Sequence, residues 1–193
     1  MDASSGYTPS TFQAANPNNY TASDRPYSTP INKIIVHVTQ GSWASALNWF
    51  SDPSAGASAH YVVRSADGFV GQSVSEMNIA WHAGNWPYNQ TSVGIEHEGY
   101  FNDPSWFTDA MFRSSAQLAA YLANKYQIPI DRDHIIGLNE VPDPYNPGDY
   151  DGASHHVNCP GPNWWWDLYM NYVNQYASGS QYTSGDQYTS GAT

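Results

Sequence analysis

Residues 33–38 of this chain read KIIVHV, and this stretch decides the fold. A run of β-branched apolar residues predicts a buried strand, of the kind found inside the sheets of α/β domains. Ser42 follows closely and can cap a short helix, which Asp52-Pro53 ends. We therefore expect a buried strand followed by a helix, with the imidazole of His37 inside the apolar run.

The rest of the chain alternates between strand and helix patterns. Asp67-Gly68 separates two strand-like runs, which predicts a β-hairpin. Residues 92–98 form another strand pattern, in which Glu96 and Glu98 share one face. The other predicted elements are a long helix capped by Thr108 and ended by Pro129, a short strand at 135–136, and a last helix from Trp164 to about Tyr176. This order predicts an α/β fold in a single domain.

The two ends of the chain differ in composition from this body. Residues 1–30 are rich in Ser, Pro, Asn and Tyr without periodicity, which predicts an extended N-terminal arm. Residues 178–193 contain the pentapeptide QYTSG twice and predict a flexible low-complexity tail. The domain itself is expected over residues 31–177. The first residues show neither the basic nor the apolar region of a signal peptide.

Composition excludes two classes of partner. The 193 residues include 6 Lys and Arg against 17 Asp and Glu, a formal net charge of −11. So few cations cannot form the basic face that binds nucleic acid. No apolar run reaches the roughly 18–20 residues that span a bilayer, so we expect no membrane insertion. An aromatic content of 15% is too high for a disordered chain.

Histidine and cysteine residues indicate where chemistry could occur. His37 is either a hydrogen-bonded core histidine or a metal ligand. Cys159 is the only cysteine, which excludes an intramolecular disulfide, and it stands in a Pro-Gly loop after His155 and His156. A lone cysteine is most often a small buried hydrophobe, although thiolate and imidazole are also ligand types that zinc takes.

Two further segments have a structural and a functional interpretation. Glu96 lies on either a solvated strand face or the wall of a site, where a carboxylate could act as general base. The segment from Trp81 to Trp86 is either a packed aromatic loop or a platform for a sugar or peptide, with His82 between the two indoles.

Six blocks of this sequence, taken in order, resemble the zinc-dependent N-acetylmuramoyl-L-alanine amidases of the type-2 family, which is related to the peptidoglycan recognition proteins. The blocks are IIVHVTQGS at 34–42, SAHYVVRSADG at 58–68, IAWHAGNW at 79–86, SVGIEHEG at 92–99, HIIGLNEVP at 134–142 and CPGP at 159–162. The resemblance implies a central mixed β-sheet flanked by helices, with an open cleft that holds Zn²⁺. It also implies cleavage of the amide between muramic acid and the L-alanine of the stem peptide.

The resemblance also implies a place and a partner. The partner is bacterial peptidoglycan or its muropeptides, and we expect a monomer that acts outside the cell or in the cell wall. Phage endolysins belong to the same group, so release of phage through the wall is a second biological setting.

The family's site residues are carried over by position. His37 matches the first zinc ligand, Cys159 the third, and Glu96 the carboxylate that serves the metal-bound water. The second ligand, a histidine in the family, falls on Leu138, and a leucine side chain cannot coordinate a metal. The cleft is expected to be lined by Trp81, His82, Trp86 and His60.

The last block departs from the family pattern as well. Members carry Lys or His two residues before the last ligand, and this position is Val157. His156 lies one residue further back and could take the catalytic place, while His155 could substitute as a zinc ligand.

The leucine leaves three possibilities open at the level of sequence. A neighbouring histidine replaces the lost ligand, or the chain is an inactivated variant, or it is a natural relative that binds the wall without cutting it. The last of these would be a non-catalytic peptidoglycan-binding pseudoenzyme. A structural surface protein, suggested by the Tyr- and Ser-rich ends, leaves the six ordered blocks unexplained.

Overall fold

The computed structural model describes residues 7–153 and 158–179. Eight strands and four α-helices are found in these residues. The strands are β1 (Thr11–Phe12), β2 (Tyr20–Thr21), β3 (Lys33–Val38), β4 (Tyr61–Val63), β5 (Val70–Gln72), β6 (Ile79–Ala80), β7 (Ser92–His97) and β8 (Ile135–Gly137). The helices are α1 (Trp43–Ser51), α2 (Trp86–Thr91), α3 (Asp109–Tyr126) and α4 (Trp166–Ala177).

Six of the strands form one mixed sheet in the order β1-β5-β4-β7-β3-β8. Strand β3 lies between β7 and β8 and is parallel to both, and β4 is parallel to β7. Strands β4 and β5 form the predicted antiparallel hairpin, whose turn is closed by Gly68 at a φ of 69°. The predicted α/β fold with a central mixed sheet flanked by helices is confirmed.

The two faces of the sheet have different roles. Ile34 and Val36 of β3 pack with Val93 and Ile95 of β7 into the main core, which α3 and α4 cover. Side chains alternate along a strand, so the intervening residues point to the other face. That second face carries Ile35 in a smaller apolar cluster.

Both long helices follow the predicted pattern with one shift. The hydroxyl of Thr108 caps α3 by accepting a hydrogen bond from the backbone N–H of Met111, and Gln127 ends the helix in the left-handed region at a φ of 58°. Helix α4 begins at Trp166 rather than at the predicted Trp164. The Trp164 ring is buried instead against Phe112, with ring centroids 4.7 Å apart.

The predicted N-terminal arm contributes to the packing of the domain. Strand β1 pairs with β5, and β2 pairs with β6 in a small antiparallel sheet. Arg25 is fully buried, and its guanidinium donates to the backbone carbonyls of Asn89, Gln90, Ser92, Glu76 and Asn78. This segment is therefore fixed to the sheet and to the loops around it.

Within the described residues, no helix combines the length and the apolar character that crossing a membrane requires. The predicted tail from residue 178 lies outside the described residues beyond Gly179.

Candidate functional site

A cavity of about 680 Å³ lies at the carboxyl ends of β3, β7 and β8. Ligand sites of α/β sheets form at this edge, where the loops after parallel strands diverge. The lining residues include His37, Glu96, Leu138 and Cys159. The structure therefore brings together the residues predicted for the family's metal site and its carboxylate.

The sheet register places His37 and Glu96 side by side. His37 is the fifth residue of β3 and is paired with Glu96 of β7. Paired residues on neighbouring strands project to the same face. Both side chains therefore leave the core face, which Val36 and Ile95 occupy, and line the cavity.

Burial gives Glu96 unusual acid–base properties. Loss of hydration raises the pKa of its carboxyl from 4.5 to about 8. Its Oε2 atom is buried and has no hydrogen-bond partner among the residues that the structure describes. A carboxyl group in a cavity wall with a pKa close to neutrality can accept a proton from water or return one.

A chain of hydrogen bonds orients the ring of His37. The hydroxyl of Ser92 donates to the carbonyl of Tyr88 at 2.5 Å, so it accepts from Nε2–H of His82, which is 3.1 Å away. Burial lowers the pKa of His82 well below its usual value, which leaves its Nδ1 as an acceptor. This Nδ1 accepts the hydrogen bond of His37 Nε2–H at 2.9 Å. The lone pair of His37 is thereby placed on Nδ1.

This arrangement requires a glycine at position 94. A Cβ atom built on Gly94 would lie 2.6 Å from both Cγ and Nδ1 of the His82 ring. The ring lies directly on the β7 backbone, so any larger residue would displace it. Gly94 of the SVGIEHEG block thus makes room for His82 of the IAWHAGNW block.

Cys159 and Leu138 form the apolar part of the wall. The Cys159 sulfur accepts a hydrogen bond from the backbone N–H of Val38 at 3.1 Å. Burial, and next the charge of Glu96, raise the pKa of this thiol well above its usual value. Leu138 is only 2% exposed and packs in one cluster with Cys159 and Ile136.

The cavity wall offers fewer metal ligands than a catalytic zinc site has. His37 and Cys159 offer one nitrogen and one sulfur, whereas the third position holds the hydrocarbon side chain of Leu138. Within residues 7–153 and 158–179, no group of three His, Cys, Asp or Glu side chains is placed to hold a metal ion. These residues therefore do not fit a zinc ion held by three protein ligands. His155 and His156, the predicted substitute ligand and catalytic residue, lie outside the described residues.

The residues predicted to bind substrate separate into two groups. Trp81 and His82 line the cavity, and the Trp81 indole donates to the hydroxyl of Thr21 at 2.9 Å. Trp86 is half-exposed at the start of α2 and is not among the lining residues. His60 is fully buried behind the cavity, where its Nδ1 accepts from the backbone N–H of Gly94.

His60 therefore has a structural environment. Burial, and next the charge of Arg25, lower its pKa to about 3, so the ring is neutral. Its Nε2–H donates to the carbonyl of Asn78 at 3.1 Å. Both ring nitrogens are thus occupied by backbone groups.

Trp49 and Gln40 are two of the lining residues that the sequence interpretation did not predict. Trp49 lines the cavity from α1 and is 51% exposed, and Gln40 lines it from the turn after β3. The sequence does contain an indication for Trp49. It lies outside the apolar face of the helix set by Leu47 and Phe50, and a large aromatic side chain that is exposed to water suggests a role in binding. Gln40 has no equivalent signal in the sequence.

Comparisons with known proteins agree with this geometry. Residues 27–162 match a family model described as N-acetylmuramoyl-L-alanine amidase. The N-acetylmuramoyl-L-alanine amidase A of Achromobacter lyticus is 35% identical over 167 residues, which cover 79% of this chain and 90% of that protein.

Solved structures share the fold. The crystal structure of a selenomethionine derivative of AmpD aligns with a TM-score of 0.64 at 23% identity, covering 90% of this chain and 98% of that chain. An endolysin described as the N-acetylmuramoyl-L-alanine amidase LysCS from Clostridium intestinale aligns with a TM-score of 0.57 at 22% identity, covering 88% and 92% of the two chains.

Proposed function

Because this chain belongs to the N-acetylmuramoyl-L-alanine amidase family, we propose that its cavity binds peptidoglycan and hydrolyses the amide between muramic acid and the L-alanine of the stem peptide. The observation that carries this proposal is the pairing of His37 and Glu96 at the cavity wall. A buried carboxyl with a pKa of about 8 has no evident structural use there, but it suits proton transfer at neutral pH.

Glu96 would serve both halves of the hydrolysis. As a carboxylate it accepts a proton from a water molecule in the cavity, and the resulting hydroxide attacks the amide carbonyl carbon. When the C–N bond breaks, protonated Glu96 returns the proton to the nitrogen of L-alanine. The products are the muramic acid carboxyl group and a peptide with a free amino terminus, so the proton count balances.

Zinc is the cofactor that we propose for this family member, bound weakly. His37 and Cys159 would contribute its protein donors, and Leu138 contributes none. Catalytic zinc sites have three protein ligands, and the loss of one removes a large share of the binding free energy. The chain should therefore need more free zinc than a relative with histidine at the second position.

A second candidate function follows from the same leucine. A peptidoglycan-binding protein without hydrolytic activity would keep the cavity, Trp81 and Trp49 while losing the metal. This candidate predicts saturable binding of muropeptides and no product. It is favoured by the apolar packing of Leu138 on the cavity wall.

We also propose that the protein acts as a monomer outside the cell or in the cell wall, in wall turnover or as part of a phage endolysin. The net charge of −11 gives no electrostatic attraction toward the anionic polymers of a bacterial wall. Binding would therefore depend on stacking and hydrogen bonds inside the cavity.

The decisive experiment measures new L-alanine amino termini released from purified peptidoglycan in the presence of zinc. The chain is compared with its Leu138→His variant, and Glu96→Gln is introduced into both as a control that removes the base. Release by the histidine variant alone supports a metal site interrupted at position 138. Release by both identifies another ligand, for which His155 and His156 are the first residues to replace. If neither releases product but both co-sediment with peptidoglycan, the binding function replaces the amidase.

A further inference from the structure

Gln40 has a backbone conformation that its residue type rarely adopts. It connects β3 to Ser42, the residue that caps α1, and its φ of 53° lies in the left-handed region. This region is unfavourable for a residue with a Cβ atom, and such conformations are concentrated at functional sites. Gln40 is one of the residues that line the cavity, as Glu96 is.

The side-chain amide of Gln40 lacks an acceptor. Its Nε2 atom is buried, and among the described residues no oxygen or nitrogen accepts its hydrogens. A buried donor without an acceptor reduces stability, and nearly all buried polar groups in native proteins are paired. Because Gln40 belongs to the cavity wall, a ligand that enters the cavity can supply the missing acceptor when the side chain turns toward it.

Trp49 presents a flat apolar surface to the same cavity. The ring is 51% exposed although it belongs to a helix whose neighbouring Phe50 is buried. Of the two parts of peptidoglycan, only the glycan has rings, and the C–H face of a pyranose can stack on an indole. The sugar, rather than the stem peptide, is therefore the part that fits against Trp49.

We propose that Gln40 is a specificity-determining residue whose Nε2–H group donates to the acetamido carbonyl oxygen of an N-acetylated amino sugar stacked on Trp49. This inference rests on the proposed function, because it assumes that the cavity takes a peptidoglycan fragment. It adds the group on the ligand that is recognised and the side chain that recognises it.

The test measures binding rather than turnover, so that it does not depend on zinc. Isothermal titration calorimetry with zinc-free protein uses two probes: N-acetylmuramoyl-L-alanyl-D-isoglutamine and the same compound with a hydroxyl in place of the acetamido group. Gln40→Met removes the donor at nearly constant size. It should weaken binding of the acetylated probe about tenfold, as expected for the loss of one well-placed hydrogen bond, and leave binding of the hydroxyl probe unchanged.

The chain offers a matched control in Gln127. This glutamine also has a left-handed backbone, at a φ of 58°, but it is exposed at the end of α3, and its Nε2 donates to the carbonyl of Asn124 at 2.7 Å. Gln127→Met should leave the affinity for both probes unchanged. Thermal unfolding gives a second readout: Gln40→Met should raise the midpoint, because it removes a buried unpaired donor, and Gln127→Met should not.

Two further outcomes are decisive. Gln40→Glu exchanges the donor for an acceptor, so retention of full affinity for the acetylated probe by this variant would overturn the proposal. If the unsubstituted chain binds both probes equally and Gln40→Met has no effect, the acetamido inference fails while peptidoglycan binding stands. If the unsubstituted chain binds neither probe, the proposed function fails together with it.

Discussion

Replacing Leu138 by histidine should change the stability of this protein in opposite directions without and with zinc. Leu138 is 2% exposed and packs against Cys159 and Ile136. Without zinc, the variant loses part of the free energy of burying a leucine and places a ring nitrogen among apolar neighbours. Together these effects should lower the free energy of unfolding by about 2–4 kcal/mol.

Zinc binding should restore the free energy of unfolding that the histidine variant loses. A ligand that binds only the folded state stabilises it by about 2.7 kcal/mol at a hundred times its dissociation constant, and by about 4.1 kcal/mol at a thousand times. The histidine variant, with three donors, reaches such a ratio at lower free zinc than the parent chain with His37 and Cys159 alone. As the concentration of free zinc is raised, the free energies of unfolding of the two proteins should therefore converge, or their order should reverse.

The assay is urea unfolding of both proteins in a chelator and at a series of buffered free zinc concentrations. Leu138→Gln is the matched control, because it shares the cost of a polar group at this position and offers zinc no imidazole. Equal stabilisation of all three proteins by zinc would refute the assignment of position 138 as the missing ligand position. So would a zinc-free loss of stability that zinc does not return.

Two other changes test the environment of buried charges. Since burial raises the pKa of Glu96 from 4.5 to about 8, the folded state keeps a proton that the unfolded state releases, and stability in zinc-free buffer should fall as the pH rises across this window. Glu96→Gln should remove that part of the slope in urea unfolding at pH 5–8, and identical slopes for both proteins would contradict the raised pKa. Arg25→Met should cost about 3–5 kcal/mol in the same assay, because it leaves buried carbonyls without donors. Arg64→Met, which removes a surface ion pair with Asp67, should cost much less than Arg25→Met because water screens the exposed pair, and an equally small effect at Arg25 would contradict its structural role.

The elements that sequence predicted are those with a strong local pattern. The apolar run of β3, the Asp67-Gly68 turn and the Thr108 cap each specify their conformation through neighbours a few residues away. The elements that it missed depend on distant partners. Strand β1 has two residues and pairs Thr11 with Gly71, a contact that no pattern within residues 1–30 could indicate.

The candidate site shows the same division. His37, Glu96 and Leu138 line one cavity, as the ordered sequence blocks suggested. His60 and Trp86 come from blocks of the same kind, yet one is buried behind the cavity and the other lies outside its lining. Membership of a block does not fix the direction of a side chain, because direction depends on how the loops pack.

Side-chain direction also explains why Glu96 and its neighbour His97 have different roles. Strand β7 sends Glu96 to the cavity and His97 to the core, where His97 Nδ1–H donates to the carbonyl of His37 and Nε2 meets the hydroxyl of Ser115. The core histidine has partners on both nitrogens, and burial lowers its pKa to about 3. The carboxyl of Glu96 keeps an unpaired buried oxygen. The alternation of side chains along the strand thus separates the residue that lines the cavity from the one that packs in the core.

Gln40 and Leu138 have opposite effects on the stability of the ligand-free protein. Gln40 has a strained backbone and an unpaired side-chain donor, and both lower the stability of the free protein. This cost is offset only if a ligand supplies an acceptor. Leu138 is apolar and well packed at the position predicted for a metal ligand, so it stabilises the free protein and offers no donor to a metal. The unpaired Gln40 and the well-packed Leu138 in one cavity wall therefore argue that recognition of a ligand here is independent of tight zinc binding.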